Sequence, residues 1–139
     1  MFSLRLATED NIEEICSFDM IAQTDESRRK FISRSVATKN CFVAVEKQIW
    51  GYGVLEYTFY DHGFISMLYV RPEYRRHGVG TALVRYFESL CQTAKLFTST
   101  NLSNLPMQSL LVKLGYKFSG VIHELDAGDP ELVYVKYLR

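Results

Sequence analysis

Two arginines and two glycines lie close together at the junction of a predicted strand and a predicted helix. One residue separates the adjacent pair Arg75-Arg76 from Gly78, and one more separates Gly78 from Gly80. Because glycine lacks a Cβ, its backbone can adopt conformations that other residues avoid and can lie close to a ligand. The first turn of a helix has N–H groups without internal partners, which favour phosphate, and arginine offers a fork of donors to phosphate oxygens. The pattern predicts a cradle for a diphosphate group.

The elements on either side would hold this cradle in place. Phe64–Val70 has the apolar pattern of a strand, and Arg71–Tyr74, which contains Pro72, has the character of a turn. The apolar residues after the first glycine recur at helical spacing: Val79, Ala82, Leu83, Tyr86, Phe87 and Leu90. A solvated basic turn before an ordinary helix is the plainer interpretation. The strand, the turn, the arginines and the helix together favour the cradle.

Two common phosphate-binding loops do not match this stretch. The dinucleotide fingerprint G-x-G-x-x-G would need a third glycine where Leu83 stands, and the chain has no G-x-x-x-x-G-K-S/T run. A protein that binds nucleotide triphosphates is therefore disfavoured.

The run Arg75–Gly80 resembles the Q/R-x-x-G-x-G/A signature of the GNAT superfamily of acetyl-CoA-dependent N-acetyltransferases. The preceding Leu68–Tyr74 is similar to the lead-in LYV-x-P-x-Y of that family. A second segment, Asn104–Tyr116, is similar to the family pattern N-x-x-A-x-x-L-Y-x-K-x-G-F, with its asparagine, lysine, glycine and final aromatic in register. The resemblance covers essentially the whole chain.

The resemblance implies an α/β protein with the GNAT-type acyl-CoA N-acyltransferase fold, in a single domain over residues 1–139. That fold has a mixed central sheet of about seven strands with about four helices, and two parallel strands splayed apart at the cofactor site. The resemblance also implies acetyl-CoA as the acetyl donor and a primary amine of a small molecule or a protein as the acceptor. The residues that we assign to the coenzyme are Leu68, Tyr69, Val70, Arg75, Arg76, His77, Gly78, Val79, Gly80, Thr81 and Asn104.

In the family, backbone groups of one splayed strand pair with the pantetheine arm of the donor, as an added strand would. By resemblance these groups belong to Leu68 and Val70, with Tyr69 between them, and one of their amides could polarise the thioester carbonyl. The asparagine of relatives contacts the coenzyme arm, which assigns that role to Asn104. A simple helix cap is the plainer role of this residue, and the two roles are compatible.

The groups that would move protons depart from the family pattern. Many relatives carry a glutamate on the strand that corresponds to Phe64–Val70, which has none, and a tyrosine at the position of Leu111, which cannot protonate the leaving thiolate. We predict as catalytic residues Glu56, on the preceding strand, and His62, in a hairpin signalled by Asp61–Gly63. A chain of waters could replace both. A CoA-binding sensor or interaction module with little catalysis is the alternative function.

The remaining segments alternate between predicted strands and helices. Cys41–Val45 and Trp50–Phe59 should form an antiparallel meander with the strand before the cradle. Lys95–Thr98 is a short predicted strand, and Ser99–Ser103 is a predicted polar loop. Four basic residues lie on a predicted helix after a cap at Thr24–Glu26: Arg28, Arg29, Lys30 and Arg34. We interpret them as a solvated helix face rather than as a rim for an acidic substrate.

The amino-acid composition of the chain argues against several classes of protein. The chain has 139 residues, 47% of them hydrophobic, which can bury a core, and its 16 basic and 16 acidic residues balance. A neutral balance argues against a protein that coats nucleic acid. Cys16, Cys41 and Cys91 form no C-x-x-C pair, so we expect reduced thiols rather than a disulfide framework or a metal site. No apolar run is long enough to span a membrane; we expect a cytoplasmic protein, and family habit leaves a homodimer open.

Overall fold

The computed structural model describes residues 1–139 and confirms the predicted mixed sheet of seven strands with four α-helices. The strands are β1 (Ser3–Leu6), β2 (Cys41–Glu46), β3 (Gln48–Phe59), β4 (His62–Val70), β5 (Lys95–Asn101), β6 (Lys117–Ile122) and β7 (Glu131–Tyr137). The α-helices are α1 (Ile12–Phe18), α2 (Glu26–Ala37), α3 (Val79–Leu90) and α4 (Leu105–Lys113), and two short 3₁₀ helices cover Glu9–Asn11 and Pro72–Tyr74. The strands lie in the order β1-β2-β3-β4-β5-β7-β6. None of the helices has the length and apolar character needed to cross a lipid bilayer.

The chain divides into two compact units. The first unit consists of Met1–Leu55 and Met67–Phe87, and the second consists of Glu56–Ser66 and Glu88–Arg139. The predicted cradle lies in the first unit, whereas both predicted catalytic residues lie in the second. A single domain over residues 1–139 remains a prediction.

In the first unit, successive residues of β3 point to opposite faces of the sheet, and both faces are packed. β3 pairs antiparallel with β2, which in turn pairs antiparallel with β1. Tyr52 and Val54 are fully buried in a core that includes apolar residues of α1 and α2. Gly51 and Gly53 alternate with them and face α3, where a Cβ on Gly53 would lie 2.7 Å from the ring of Phe87. The two glycines therefore allow α3 to pack close to β3.

In the second unit, β5 runs parallel to β4 and antiparallel to β7, which pairs antiparallel with β6. The parallel ladder comprises three residue pairs, from Gly63↔Leu96 to Ile65↔Thr98. The hydroxyl of Thr98 adds a hydrogen bond to the carbonyl oxygen of Ile65 at 2.9 Å. This pairing therefore covers the start of β4, and the splaying of β4 and β5 remains a prediction.

The prediction of a loop at Ser99–Ser103 is wrong for Ser99–Asn101, which belongs to a strand. β5 continues to Asn101, and Ser99–Asn101 pairs with Glu131–Val133 of β7. Serine and asparagine are poor strand formers in isolation, but a neighbouring strand that satisfies their backbone groups overrides this preference.

The predicted position of the hairpin turn is also wrong. The turn between β3 and β4 consists of Tyr60 and Asp61, whose φ angles are 53° and 64°. Two successive left-handed residues are typical of a type I′ turn. His62 therefore lies on β4 rather than in the turn. Gly63 serves packing, because a Cβ at this position would lie 2.5 Å from the sulfur of Cys91.

Candidate active site

The predicted cradle follows the 3₁₀ helix Pro72–Tyr74 and leads into α3. Arg76 and Gly78 both have left-handed backbones, with φ angles of 67° and 81°. The first hydrogen bond of α3 joins the amide of Ala82 to the carbonyl oxygen of Gly78 at 3.0 Å, and no amide from Arg76 to Thr81 donates to a backbone acceptor. Alternating backbone conformations at a helix start make an anion-binding concavity. The geometry of this turn therefore suits a diphosphate.

Aromatic side chains brace the residues just before the cradle. The rings of Trp50 and Tyr74 stack with centroids 4.1 Å apart and planes 2° apart. The ring of His77 lies edge-on to both, at 6.3 Å from each. Gln48 Nε2 donates to the hydroxyl oxygen of Tyr74 at 2.5 Å, and the ring of Phe2 packs against Trp50 in a tilted arrangement with centroids 5.3 Å apart. These contacts attach the cradle to β3.

Arg75 connects the cradle to the end of β4. Its Nε donates to the carbonyl oxygen of Val70 at 3.0 Å, and its guanidinium carbon lies 5.5 Å from the ring centroid of Tyr69. The side chain is otherwise exposed. Arg75, which is predicted to bind the diphosphate, thus also contacts two residues predicted to bind the pantetheine arm.

Glu56 and His62 do not form a pair. The Ser66 hydroxyl donates to Glu56 Oε2, and the Thr58 hydroxyl donates to Glu56 Oε1 at 3.3 Å. The ring of His62 packs against Phe97 with centroids 5.4 Å apart. Both residues are half-buried. Glu56 is therefore oriented by two hydroxyl groups, while His62 is held by an aromatic contact.

The structure confirms the helix cap predicted at Asn104, immediately before α4. Asn104 caps the helix, because its Oδ1 accepts a hydrogen bond from the amide of Met107 at 3.2 Å. Its contact with a coenzyme remains a prediction. Leu111, in the second unit, is 0% exposed. No group of three or more His, Cys, Asp or Glu side chains is arranged to hold a metal ion.

A model of the acetyltransferase (GNAT) family matches residues 6–116. The crystal structure of a GNAT-family acetyltransferase from Bacillus cereus ATCC 10987 matches with a TM-score of 0.90 and 33% sequence identity, over 99% of this chain and 97% of that chain. The chain belongs to the GNAT acetyltransferase family. A comparison with curated proteins gave no match.

More distant structures share the GNAT fold. Ard1 from Thermoplasma volcanium matches with a TM-score of 0.81 at 18% identity, over 98% of this chain and 97% of that chain. A structure from Bacillus anthracis str. Ames, assigned as a streptothricin acetyltransferase and solved in complex with acetyl coenzyme A, matches with a TM-score of 0.64 at 18% identity, over 70% of this chain and 61% of that chain. At this identity the likeness concerns the fold.

This GNAT protein also has a buried ionic cluster that the sequence does not signal. Asp19 is 0% exposed, and its Oδ2 accepts hydrogen bonds from Arg28 Nη1 at 2.6 Å and from the Tyr52 hydroxyl at 2.5 Å. The prediction that Arg28 lies on a solvated helix face is therefore wrong. Its guanidinium forms an ion pair with the buried carboxylate of Asp19, which would be costly to bury without a partner. Burial, followed by the hydrogen bond to Asp19, raises the pKa of the Tyr52 phenol above its usual value.

A second link joins α1 to the start of β3 and to the residue after β4. Glu14 Oε2 accepts hydrogen bonds from Arg71 Nη2 and from the amide of Ile49, each at 2.7 Å. Arg71 Nε donates in turn to the carbonyl oxygen of Ile49 at 2.7 Å. The guanidinium also lies 4.5 Å from the ring centroid of Phe18. Residues so far apart in sequence have no spacing signal, so only the structure reveals this link.

An open groove of about 970 Å³ lies on the first unit between α1 and α2. Its lining residues include three acids and two bases: Glu9, Glu13, Glu26, Arg29 and Lys30. Cys16 also lines it, and burial raises the pKa of this thiol while Arg29 opposes the shift. Because the charges are mixed, the groove does not select for one sign of ligand.

Proposed function

We propose that this protein transfers the acetyl group of acetyl-CoA to a primary amine of a small molecule or a protein. The observation that carries the proposal is the series of backbone amides from Arg76 to Thr81 that lack backbone acceptors at the start of α3. Such amides, together with the helix dipole, favour a diphosphate, and acetyl-CoA carries one. The Bacillus anthracis relative, which was solved with acetyl coenzyme A, supports the same donor.

Two groups of residues would hold the donor. The diphosphate would bind the cradle, formed by Arg75, Arg76, His77, Gly78, Val79, Gly80 and Thr81. The pantetheine arm would run along Leu68, Tyr69 and Val70 and contact Asn104. Arg75 suits both groups, because it already donates to the carbonyl oxygen of Val70 at 3.0 Å and has four further N–H donors for phosphate oxygens.

Acetyl transfer forms a C–N bond, breaks the C–S bond of the thioester, and moves one proton from the amine to the leaving thiolate overall. We assign Glu56 as the group that accepts the amine proton, because the hydroxyls of Ser66 and Thr58 orient its carboxylate. His62 is the second candidate. Since Leu111 is buried and has no proton to donate, we assign protonation of the thiolate to solvent water.

The alternative is a protein that binds CoA or acetyl-CoA as a sensor or interaction module with little catalysis. The buried Leu111 and the absence of a carboxylate on β4 favour it. Both functions predict binding of acetyl-CoA. Only an enzyme releases CoA thiol in proportion to an added amine.

The deciding experiment combines calorimetric titration with acetyl-CoA and a thiol-release assay across polyamines, aminoglycosides, amino acids, arylalkylamines and peptide N-termini. We expect binding and amine-dependent release. Gly80→Trp should abolish both, because the indole would occupy the cradle at the first turn of α3; a melting curve checks that the variant is folded. Turnover with an unchanged affinity for acetyl-CoA in a folded Gly80→Trp protein would refute the assignment.

The cellular setting is part of the proposal. We place the enzyme in the cytoplasm, where it would act on an amine acceptor. Nucleic acid is not a proposed partner, because the chain has equal numbers of acidic and basic residues, 16 of each. A homodimer remains an open prediction, which size-exclusion chromatography with light scattering can test.

A further inference from the structure

The carboxylate of Asp19 fixes the chain that follows α1. Oδ1 accepts hydrogen bonds from the amides of Ile21 and Ala22, at 3.0 Å and 3.2 Å. Oδ2 accepts the bonds from Arg28 and Tyr52 already described. Both oxygens are thus fully engaged, and the charge of the carboxylate is balanced by one guanidinium. A buried charge pair that is also fully hydrogen-bonded specifies one local arrangement.

The same segment touches the strand proposed to hold the acetyl donor. The amide of Met20 donates to the hydroxyl oxygen of Tyr69 at 3.2 Å. The ring of Tyr69 packs against those of Tyr52 and Phe18, with centroids 6.2 Å and 6.1 Å apart. Tyr69 is the residue between Leu68 and Val70, so the Met20–Ala22 segment borders the side of this strand on which the Tyr69 side chain lies.

The segment offers apolar surface and no free charge. Met20 and Ile21 are 65% and 46% exposed, whereas Ala22 and Asp19 are 0% exposed. Arg28 is occupied by Asp19, so it is not available to an anionic acceptor. The carboxylate of Asp19 is likewise not available to a polycationic acceptor.

We propose that Asp19 is a positioning residue that holds Met20 and Ile21 beside Tyr69, and that these two side chains select an acceptor amine carried on an uncharged, apolar group. This inference rests on the proposed function. Exposed methionine and isoleucine side chains gain free energy when an apolar group covers them, and a rigidly held segment loses little entropy on binding. An arylalkylamine is the simplest acceptor of this class, and a polyamine is the opposite case.

The test compares phenethylamine with spermidine as acceptors, both at saturating acetyl-CoA. We expect a higher kcat/KM for phenethylamine. Met20→Ser and Ile21→Ser should each raise the KM for phenethylamine by about tenfold, the loss expected for one apolar contact. The KM for acetyl-CoA should not change. These two positions are exposed, so the substitutions do not threaten the fold.

Asp19→Asn tests the positioning role. It should raise the KM for phenethylamine while leaving the KM for acetyl-CoA and the affinity for acetyl-CoA unchanged. Glu88→Gln is the matched control, because Glu88 Oε2 also accepts bonds from a tyrosine hydroxyl and a cation, Tyr116 at 2.9 Å and Lys136 at 3.1 Å. The control should lower the melting temperature without changing the KM for the amine.

Three results would overturn the inference. The first is a preference of the wild-type enzyme for spermidine, and the second is an unchanged amine KM in Met20→Ser and Ile21→Ser. The third is an Asp19→Asn protein that loses thermal stability as Glu88→Gln does but keeps its amine KM. Failure of the proposed function is distinguishable, because it would appear as no acetyl-CoA binding or no thiol release with any amine, and it would overturn both proposals.

Discussion

The indole of Trp50 lies flat on the phenol ring of Tyr74, with centroids 4.1 Å apart and planes 2° apart. This contact joins β3 to the turn that ends immediately before Arg75. His77, inside the cradle, packs edge-on against both rings. The conformation of the cradle therefore depends on aromatic packing as well as on its glycines.

Tyr74→Leu should weaken acetyl-CoA binding by up to about tenfold, because an aromatic pair contributes roughly 0.5–1.5 kcal/mol beyond its buried area and the cradle would lose its brace. Calorimetric titration measures the change. Tyr60→Leu is the control, since Tyr60 is 83% exposed in the β3–β4 turn. Equal affinities in the two variants would show that the stack does not organise the cradle.

Gly78→Ala should destabilise the protein by about 1–2 kcal/mol, the cost of a left-handed backbone for a residue with a Cβ. The added Cβ meets no atom within 4 Å, so backbone strain at a φ of 81° is the cause. Gly120→Ala is matched, because its Cβ also meets no atom within 4 Å and no left-handed φ is required. Urea unfolding compares the two. A Gly78→Ala protein as stable as the Gly120→Ala protein would contradict this account.

Glu56→Gln should lower kcat by about 10²–10⁴-fold, the usual contribution of a general base, with an unchanged KM for acetyl-CoA. Glutamine can still accept the hydrogen bond from Ser66. The control is Glu131→Gln, because Glu131 Oε2 accepts a hydrogen bond from the Ser99 hydroxyl at 2.7 Å and has no proposed role in proton transfer. Steady-state kinetics measures kcat and the KM for acetyl-CoA in both variants and in the wild type.

His62→Gln separates the remaining alternatives for proton removal. A loss of kcat in this variant, with normal rates in Glu56→Gln, would assign the base to His62. Normal rates in both variants would favour a chain of waters.

Thiol titration should find one accessible cysteine in the folded protein and three after denaturation. Cys41 and Cys91 are 0% and 1% exposed, whereas Cys16 is half-buried at the groove. Because burial raises the pKa of Cys16, it should react slowly near neutral pH, since the thiolate is the reactive form. Rapid modification of more than one thiol in the native protein would contradict the buried positions.

Stability should fall at alkaline pH in part because of Cys41. Burial raises the pKa of this thiol from 9.0 to about 12 in the folded protein. Between these values the unfolded chain loses a proton that the folded protein retains, so rising pH favours unfolding, while below pH 9.0 the contribution is complete. Melting temperatures measured across this range should decline less steeply for Cys41→Ala than for the wild type. Parallel declines would show that Cys41 does not contribute.

The sequence determined the local parts of the structure. The run from Arg75 to Gly80 predicted a turn and a helix start, because glycine conformation and the free amides of a first helical turn depend on adjacent residues. The cap at Asn104 follows from the same kind of short-range signal. The motifs around these two sites were also sufficient to indicate the family.

Only the tertiary structure decided which distant residues meet. Asp19 and Tyr52 are 33 residues apart in the chain, and Glu14 and Arg71 are 57 apart, so no periodicity connects them. The true position of the β3–β4 turn and the continuation of β5 likewise depended on pairing between strands. Such contacts are set by sheet register and helix packing, which arise when the whole chain folds and buries its apolar surface together.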